Sequence, residues 1–155
     1  MLKKNTIQII SPARLHFGFL EINNNQSDNL LGGIGLSIDK FHTKITMKKN
    51  AKITVKGKSL NKASLFLNTF CKKKKIKPNF CLNIEKSSPQ HIGLGSGTQL
   101  ALSIGRAISY LSNLNLNTKK IAQILNRSYR SNIGLMNFNH GGFLIDLKIK
   151  NKFFT

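Results

Sequence analysis

The residues with the clearest capacity for chemistry are Gly93, Leu94, Gly95, Ser96, Gly97 and Thr98, a glycine-rich turn that runs directly into an apolar, helix-patterned segment from Gln99 to Ile108. Glycines admit positive φ and let the backbone approach a ligand closely, while the first N–H groups of a helix have no intrahelical partner. Aligned peptide dipoles add partial positive charge at the same end, so phosphate is the natural occupant. Ser96 and Thr98 add hydroxyls to those N–H groups. Glycines before a helix also arise where a backbone turns tightly against a neighbour. The Gly-Lys-Ser/Thr ending of a Walker loop is missing, and no strand and ribose-binding acid frame the turn as a dinucleotide fingerprint. The surrounding residues must therefore decide the chemistry.

Four side chains are candidates to meet an anion beside this turn. Arg14 offers a guanidinium fork suited to phosphate or carboxylate, with pairing to Asp39 or Glu21 as its structural alternative. His16 lies two residues further along an alternating run and either reaches a ligand or fills a sheet face. His91 stands two residues before the turn, and Arg130 stands just before Ser131-Asn132-Ile133-Gly134. Asp39 and Asp146 either hold magnesium or satisfy a turn or a lysine. His42 and His140 read as surface or capping residues. The histidines lack the spacing of a metal-ligand pair, and Cys71 and Cys81 read as reduced packing residues rather than a disulfide or zinc site.

The motifs fall in order along the chain: Ser11-Pro12-Ala13-Arg14-Leu15-His16-Phe17-Gly18, Gly32-Gly33-Ile34-Gly35-Leu36-Ser37-Ile38-Asp39, His91 to Leu102, and Arg130 to Gly134 followed by Gly141-Gly142-Phe143-Leu144-Ile145-Asp146. Together they resemble the N-terminal part of the GHMP kinase superfamily. Within it, the run from His91 to Leu102 is similar to the beta-ribofuranosylaminobenzene 5'-phosphate synthases. That resemblance implies joining of 4-aminobenzoate or a related hydroxybenzoate to phosphoribosyl pyrophosphate, with release of pyrophosphate and carbon dioxide, on the way to methanopterin-type one-carbon carriers. In the superfamily's kinases the same loop holds the phosphates of ATP. Either ligand carries magnesium, and the resemblance implies that Ser96 lies near the metal. It further implies Arg14 and Ser96 as catalytic residues, Gly93 to Thr98 as the phosphate loop, and Arg14, His16, His91 and Arg130 on the substrate side.

One departure bears on the choice between synthase and kinase. Several of the kinases carry an acid seven positions before the Gly-Gly pair, and here that position is Gly134. No carboxylate lies between Glu85 and Asp146. Displacing pyrophosphate from an activated ribose has less need of a base, because the leaving group is already good and positioning with charge stabilisation carries the step.

The elements that must position these residues follow from periodicity. Alternation predicts strands over Thr6–Ile10, Leu15–Ile22, Lys44–Lys48, Lys52–Lys56 and Phe80–Ile84, with a buried last strand over Gly142–Leu147. Helices are expected over Leu60–Cys71, Thr98–Leu111 and Thr118–Asn126, the last opened by Asn117 or Thr118 as N-cap. This is an α+β arrangement, a mixed sheet with packed helices. It fits the ribosomal protein S5 domain 2-like fold that the resemblance implies, as one domain over residues 1–155. The polar segment Asn23 to Asn29 is expected to be a crossover or hairpin tip. Relatives of this type carry a further C-terminal half that nothing here matches, so a second copy or a separate chain supplying that half is an expected partner.

Composition sets the rival reading. The chain carries 25 Lys+Arg against 5 Asp+Glu, a formal charge of +20, which by itself suggests a nucleic-acid surface. Yet the arginines are confined to Arg14, Arg106, Arg127 and Arg130, and the lysines accompany a comparable crowding of Asn, as an adenine- and thymine-rich coding sequence produces. Lys72 to Lys75 follow a helix-like segment, where cations are favoured at the C-terminal end. No aromatic pair marks an RNA-reading strand. The run therefore reads as a solvated helix end, with a basic binding module as the distant alternative. No apolar run reaches membrane-span length and no signal-peptide region stands at the N-terminus, so a cytoplasmic protein is expected.

Overall fold

Alternating apolar and polar residues build a sheet with one wet face and one covered face. The computed structural model describes residues 5–22, 30–89, 92–127 and 131–147. Strand β1 (Thr6–Gly18) runs antiparallel along the whole of β4 (Gly33–Lys49), whose far side takes β6 (Phe80–Lys86) at one end and β7 (Phe143–Asp146) at the other. Strand β5 (Thr54–Gly57) joins β6 in parallel, giving the order β1-β4-β6-β5. A parallel pair needs a crossover, and helix α1 (Leu60–Lys74) supplies it. Among the described residues the short strands β2 (Glu21–Ile22) and β3 (Leu30–Leu31) pair with each other in a separate two-stranded sheet. Ile45, Met47, Leu82 and Ile84 face the core, while Lys44, Thr46 and Glu85 occupy the other face, where Lys44 Nζ lies 2.8 Å from Glu85 Oε2.

The two strands expected over Thr6–Ile10 and Leu15–Ile22 are largely one. Thr6 to Gly18 is continuous, with Pro12 inside it. Proline has no N–H for a ladder bond, so an interior position is tolerated only at an irregularity. The pairing supplies one: it steps from Ser11↔Thr43 to Ala13↔Ile38, leaving residues 39–42 of β4 looped out opposite Pro12. Phe41, at φ 70°, makes the turn within that bulge. The motif Gly33 to Asp39 and the expected strand at Lys44 are likewise one strand.

Three further helices pack on the covered face and beside β7: α2 (Ser96–Leu111), α3 (Thr118–Ile124) and α4 (Ile133–Asn139). Helix α2 is the centre of the core, burying Leu100, Leu102, Ile104 and Ile108. It approaches α3 so closely at Gly105 that a Cβ there would lie 2.4 Å from Ile121 Cγ2. The expected cap of α3 is present, with Asn117 Oδ1 accepting from Lys120 N at 2.9 Å. Helix α1 runs on to Lys74 rather than ending at Cys71. Lys73 is not simply solvated: its Nζ donates to Ile124 O at 2.6 Å and to Asn126 Oδ1 at 3.0 Å, closing the C-terminal end of α3. Cys71 and Cys81 are free thiols, and burial pushes the Cys71 thiol up to about 11.

Helix α4 is not among the helices expected from periodicity. Its sequence, with Gly134, Asn137 and Asn139, has weak intrinsic helicity. Tertiary partners override that weakness. Ile133 and Met136 pack on Leu144, Asn132 N donates to Asp146 Oδ2 at 2.7 Å, and Gln99 Nε2 donates to Gly134 O at 2.9 Å. Asn137 Nδ2 donates to Pro12 O at 3.0 Å, tying α4 to the irregular part of β1. Among the described residues no helix is long and apolar enough to cross a membrane. The segment Asn23 to Asn29 lies outside the described residues.

Candidate functional site

The end of β1 and the start of α2 meet at the glycine turn. Arg14 N donates to Leu94 O at 3.1 Å, and the Arg14 side chain then lies across Gly95. Gly95 is the N-cap of α2 at φ 67°, a left-handed conformation that glycine adopts without strain. Helix α2 has no side-chain cap and no acidic residue in its first turn, so its amino-terminal partial charge faces outward uncompensated.

An open cavity of about 620 Å3 lies in front of this junction. Arg14, His16 and Phe19 line it from β1, Gly93, Gly95 and Thr98 from the turn and α2, Asn126 and Arg127 from the segment after α3, and Ser131 and Gly134 from the start of α4. Two arginines and a histidine thus face one space, and among the described residues no carboxylate lines it. Arg14 Nε and Nη1 and Arg127 Nε are buried, and none has a hydrogen-bond partner among the described residues. Such donors are costly to leave unmade. Burial lowers the pKa of both guanidinium groups from their ordinary value, as desolvation does to any cation lacking a counter-charge.

His16 is held in a defined orientation. Its Nδ1 accepts from Gly18 N at 3.1 Å, which leaves the proton of the neutral ring on Nε2. Burial first, and then repulsion from Arg14, hold its pKa below the usual 6.5. The Phe19 ring stands 4.8 Å from the imidazole at an interplanar angle of 57°, and together they make an aromatic wall beside the two arginines.

The residues singled out from the sequence separate clearly. Arg14, His16, Gly93, Gly95 and Thr98 line the cavity. Leu94 is buried, and its carbonyl anchors Arg14. Ser96 and Gly97 form the first turn of α2, half-buried and off the lining. His91 and Arg130 lie outside the described residues. Arg14 forms no ion pair with Asp39: that residue is exposed in the β4 bulge, while Asp146 is buried with its carboxylate on Asn132 N. Phe19, Asn126, Arg127 and Ser131 were not anticipated as lining residues. Arg127 had one signal, being among the few arginines of a lysine-rich chain.

Gly134 is sterically closed. A Cβ there would lie 2.9 Å from Thr98 Cγ2, so α4 and α2 pack too closely at this point for a side chain. The described residues contain no group of three His, Cys, Asp or Glu able to hold a metal. With lining hydroxyls from Thr98 and Ser131, Ser96 off the lining, and no carboxylate among the described lining residues, the donor set does not fit a resident magnesium ion, which takes carboxylates together with ligand phosphates.

The GHMP kinases N terminal domain family matches residues 60–139. The chain is 32% identical over 145 residues to a beta-ribofuranosylphenol 5'-phosphate synthase of Archaeoglobus fulgidus, a match covering 90% of this chain and 44% of the relative. It is 34% identical over 151 residues to the synthase of the same description from Methanocaldococcus jannaschii, covering 89% of this chain and 46% of the relative. The chain therefore spans about half the length of the curated relatives it matches. Among solved structures, a putative sugar kinase from Campylobacter jejuni superposes with a TM-score of 0.69 at 16% identity, covering 99% of this chain and 56% of that one.

Proposed function

The chain belongs to the GHMP kinases N terminal domain family, and on that footing we propose that it forms the phosphoribosyl-binding half of a beta-ribofuranosylphenol 5'-phosphate synthase-like enzyme. The observation that carries this reading is a cavity that, among the described residues, is lined by two arginines, one histidine and no carboxylate. Phosphoribosyl pyrophosphate is the donor. The glycine turn, the amino-terminal end of α2 and Arg14 hold a phosphate group by charge and N–H contacts. Ser96 and Thr98 add hydroxyl contacts, and His91 and Arg130 complete the substrate side. Magnesium would arrive with the ligand's phosphates, and Ser96 is the residue of the turn that the resemblance implies near it.

A lining without a carboxylate among the described residues suits this reaction. Joining an aromatic carboxylate to the anomeric carbon with loss of pyrophosphate and carbon dioxide forms one carbon–carbon bond. The ring supplies the electron pair, pyrophosphate leaves with the pair of the broken C–O bond, and the pair of the broken bond to the carboxyl carbon returns to the ring. No proton has to be removed for this balance. Phosphorylating a hydroxyl does require removal of a proton, and the position at which the resemblance places the kinases' acid is Gly134, closed against Thr98. The ring of the aromatic acid lies against His16 and Phe19. This supports the synthase over an ATP-dependent kinase.

The remaining half of the relatives' length completes the enzyme, in the same polypeptide, in a second copy or in a separate chain, and the location is the cytoplasm. The test is conversion of 4-hydroxybenzoate or 4-aminobenzoate with phosphoribosyl pyrophosphate and magnesium, followed by release of labelled carbon dioxide. Release that disappears in Arg14→Gln supports the reading, and ATP-dependent phosphoryl transfer without carbon dioxide release overturns it.

A further inference from the structure

We infer that Arg127 is a second anion-contact residue, which receives a different anionic group of the ligand from the one held by Arg14 and the glycine turn. The side chain reaches the same cavity as Arg14 but comes from a separate element, the segment after α3. Its Nε is buried without an acceptor among the described residues, and no carboxylate among the described lining residues answers its charge. The Phe66 ring of α1 supports it, with the ring centre 4.7 Å from the guanidinium carbon. A ring face offsets part of the charge but offers no lone pair to the N–H donors. The turn that delivers Arg127 is itself fastened. Asn126 sits at φ 55° and Lys73 Nζ bonds both Asn126 Oδ1 and Ile124 O, so α1 fixes the arginine from below through Phe66 and from behind through Lys73. A cation held this firmly on the lining of a cavity, with a buried donor unanswered among the described residues, is preorganised for an anion.

Two separately mounted guanidinium groups fit a ligand with anionic groups at two places, the chemical class of a sugar carrying a phosphate at one end and a diphosphate at the other. Phe66 and Lys73 are positioning residues, since they act through Arg127. The inference rests on the phosphoribosyl reading for its choice of probe and not for its geometry.

Calorimetric titration of the whole chain with phosphoribosyl pyrophosphate, ribose 5-phosphate and inorganic pyrophosphate, each with magnesium, tests it. Arg127→Gln is expected to weaken phosphoribosyl pyrophosphate by roughly tenfold or more, as loss of a charge-assisted hydrogen bond does. It should weaken one of the two fragments and spare the other, while Arg14→Gln weakens the complementary fragment. Arg127→Lys should retain part of the affinity, and Phe66→Leu should lower it while leaving every ligand contact in place. Unliganded Arg127→Gln should melt no lower than the parent, which separates a binding role from a folding role. An unchanged affinity in Arg127→Gln overturns the inference, as does loss of the same fragment in both variants. If the parent ignores phosphoribosyl pyrophosphate but binds ATP or pyrophosphate, the functional reading fails, and Arg127→Gln then supports or overturns the inference on that ligand.

Discussion

Arg14 occupies the space that a side chain at Gly95 would need: a Cβ on that glycine would lie 2.6 Å from Arg14 Nε and 2.9 Å from its Cγ. Strand β1 and the amino-terminal end of α2 are thereby one device. The glycine's missing side chain lets the strand lay a guanidinium over the helix terminus, and the backbone bond from Arg14 N to Leu94 O sets the distance at 3.1 Å. Two positive features, a cation and a helix terminus, are stacked where no carboxylate among the described lining residues answers them.

Gly95→Ala should break this device. Alanine at φ 67° is strained, and its methyl group displaces Arg14, so the expected loss is about 1–2 kcal/mol of stability. Phosphate affinity should fall with it. Gly97, two residues on, has open space at its Cβ position, so Gly97→Ala should hold or raise stability by up to about 1 kcal/mol through helix propensity. Urea unfolding of the two variants checks the contrast, and equal losses would contradict it.

Acidification should weaken the unliganded protein through His16. Its folded pKa lies below the ordinary 6.5, so the unfolded chain takes up the proton first. The contribution is complete above pH 6.5 and is lost as pH falls through the lower folded value. A bound anion answers Arg14 and favours the charged imidazole, so pyrophosphate should move the titration of His16 upward. Proton NMR of the imidazole with and without pyrophosphate reads both directions, and His16→Gln should flatten this part of the pH profile. A free-state titration above 6.5 would contradict the stated geometry.

Installing an acid at Gly134 should not produce a kinase. Gly134→Asp places a Cβ 2.9 Å from Thr98 Cγ2, and the overpacking should cost about 1–3 kcal/mol. ATP turnover with candidate alcohols should stay at background. Gly134→Ala, carrying the same steric burden without the charge, should show a similar stability loss.

The lysine run should divide by position. Lys73→Met removes two bonds to the end of α3 and should cost about 1 kcal/mol, discounted because the side chain is largely exposed. Lys72→Gln, on an exposed position of the same turn, should stay within about 0.5 kcal/mol. Thermal melts at two salt concentrations would show the split, and equal effects would return the whole run to solvent.

The sequence carried the sheet and the three longer helical signals because alternation and amphipathic period are local properties. Phe80 to Ile84, Leu60 to Cys71 and Thr98 to Leu111 read correctly to within a few residues at their ends. Helix α4 was hidden because its stability comes from Asp146, Gln99 and Leu144, none of which is its neighbour in the chain. Pro12 divided β1 in the sequence because the bulge that accommodates it lies on another strand, at residues 39–42. At the site, the glycine turn, Arg14 and His16 announced themselves through motif and residue type. Arg127 and Phe19 did not, since their place in the cavity depends on how α3 ends and how β1 leaves the sheet.

The central claim is that the cavity is a phosphoribosyl diphosphate site, and thermal unfolding with magnesium and rising phosphoribosyl pyrophosphate, beside ATP and a ligand-free control, tests it most directly. At a hundred times its dissociation constant, a ligand stabilises the native state by roughly 2.7 kcal/mol, which is a rise of several degrees for a domain of this size. The account predicts that rise with phosphoribosyl pyrophosphate, a smaller one with ATP, and its loss in Arg14→Gln. An equal or larger rise with ATP, or no rise with phosphoribosyl pyrophosphate, would contradict it.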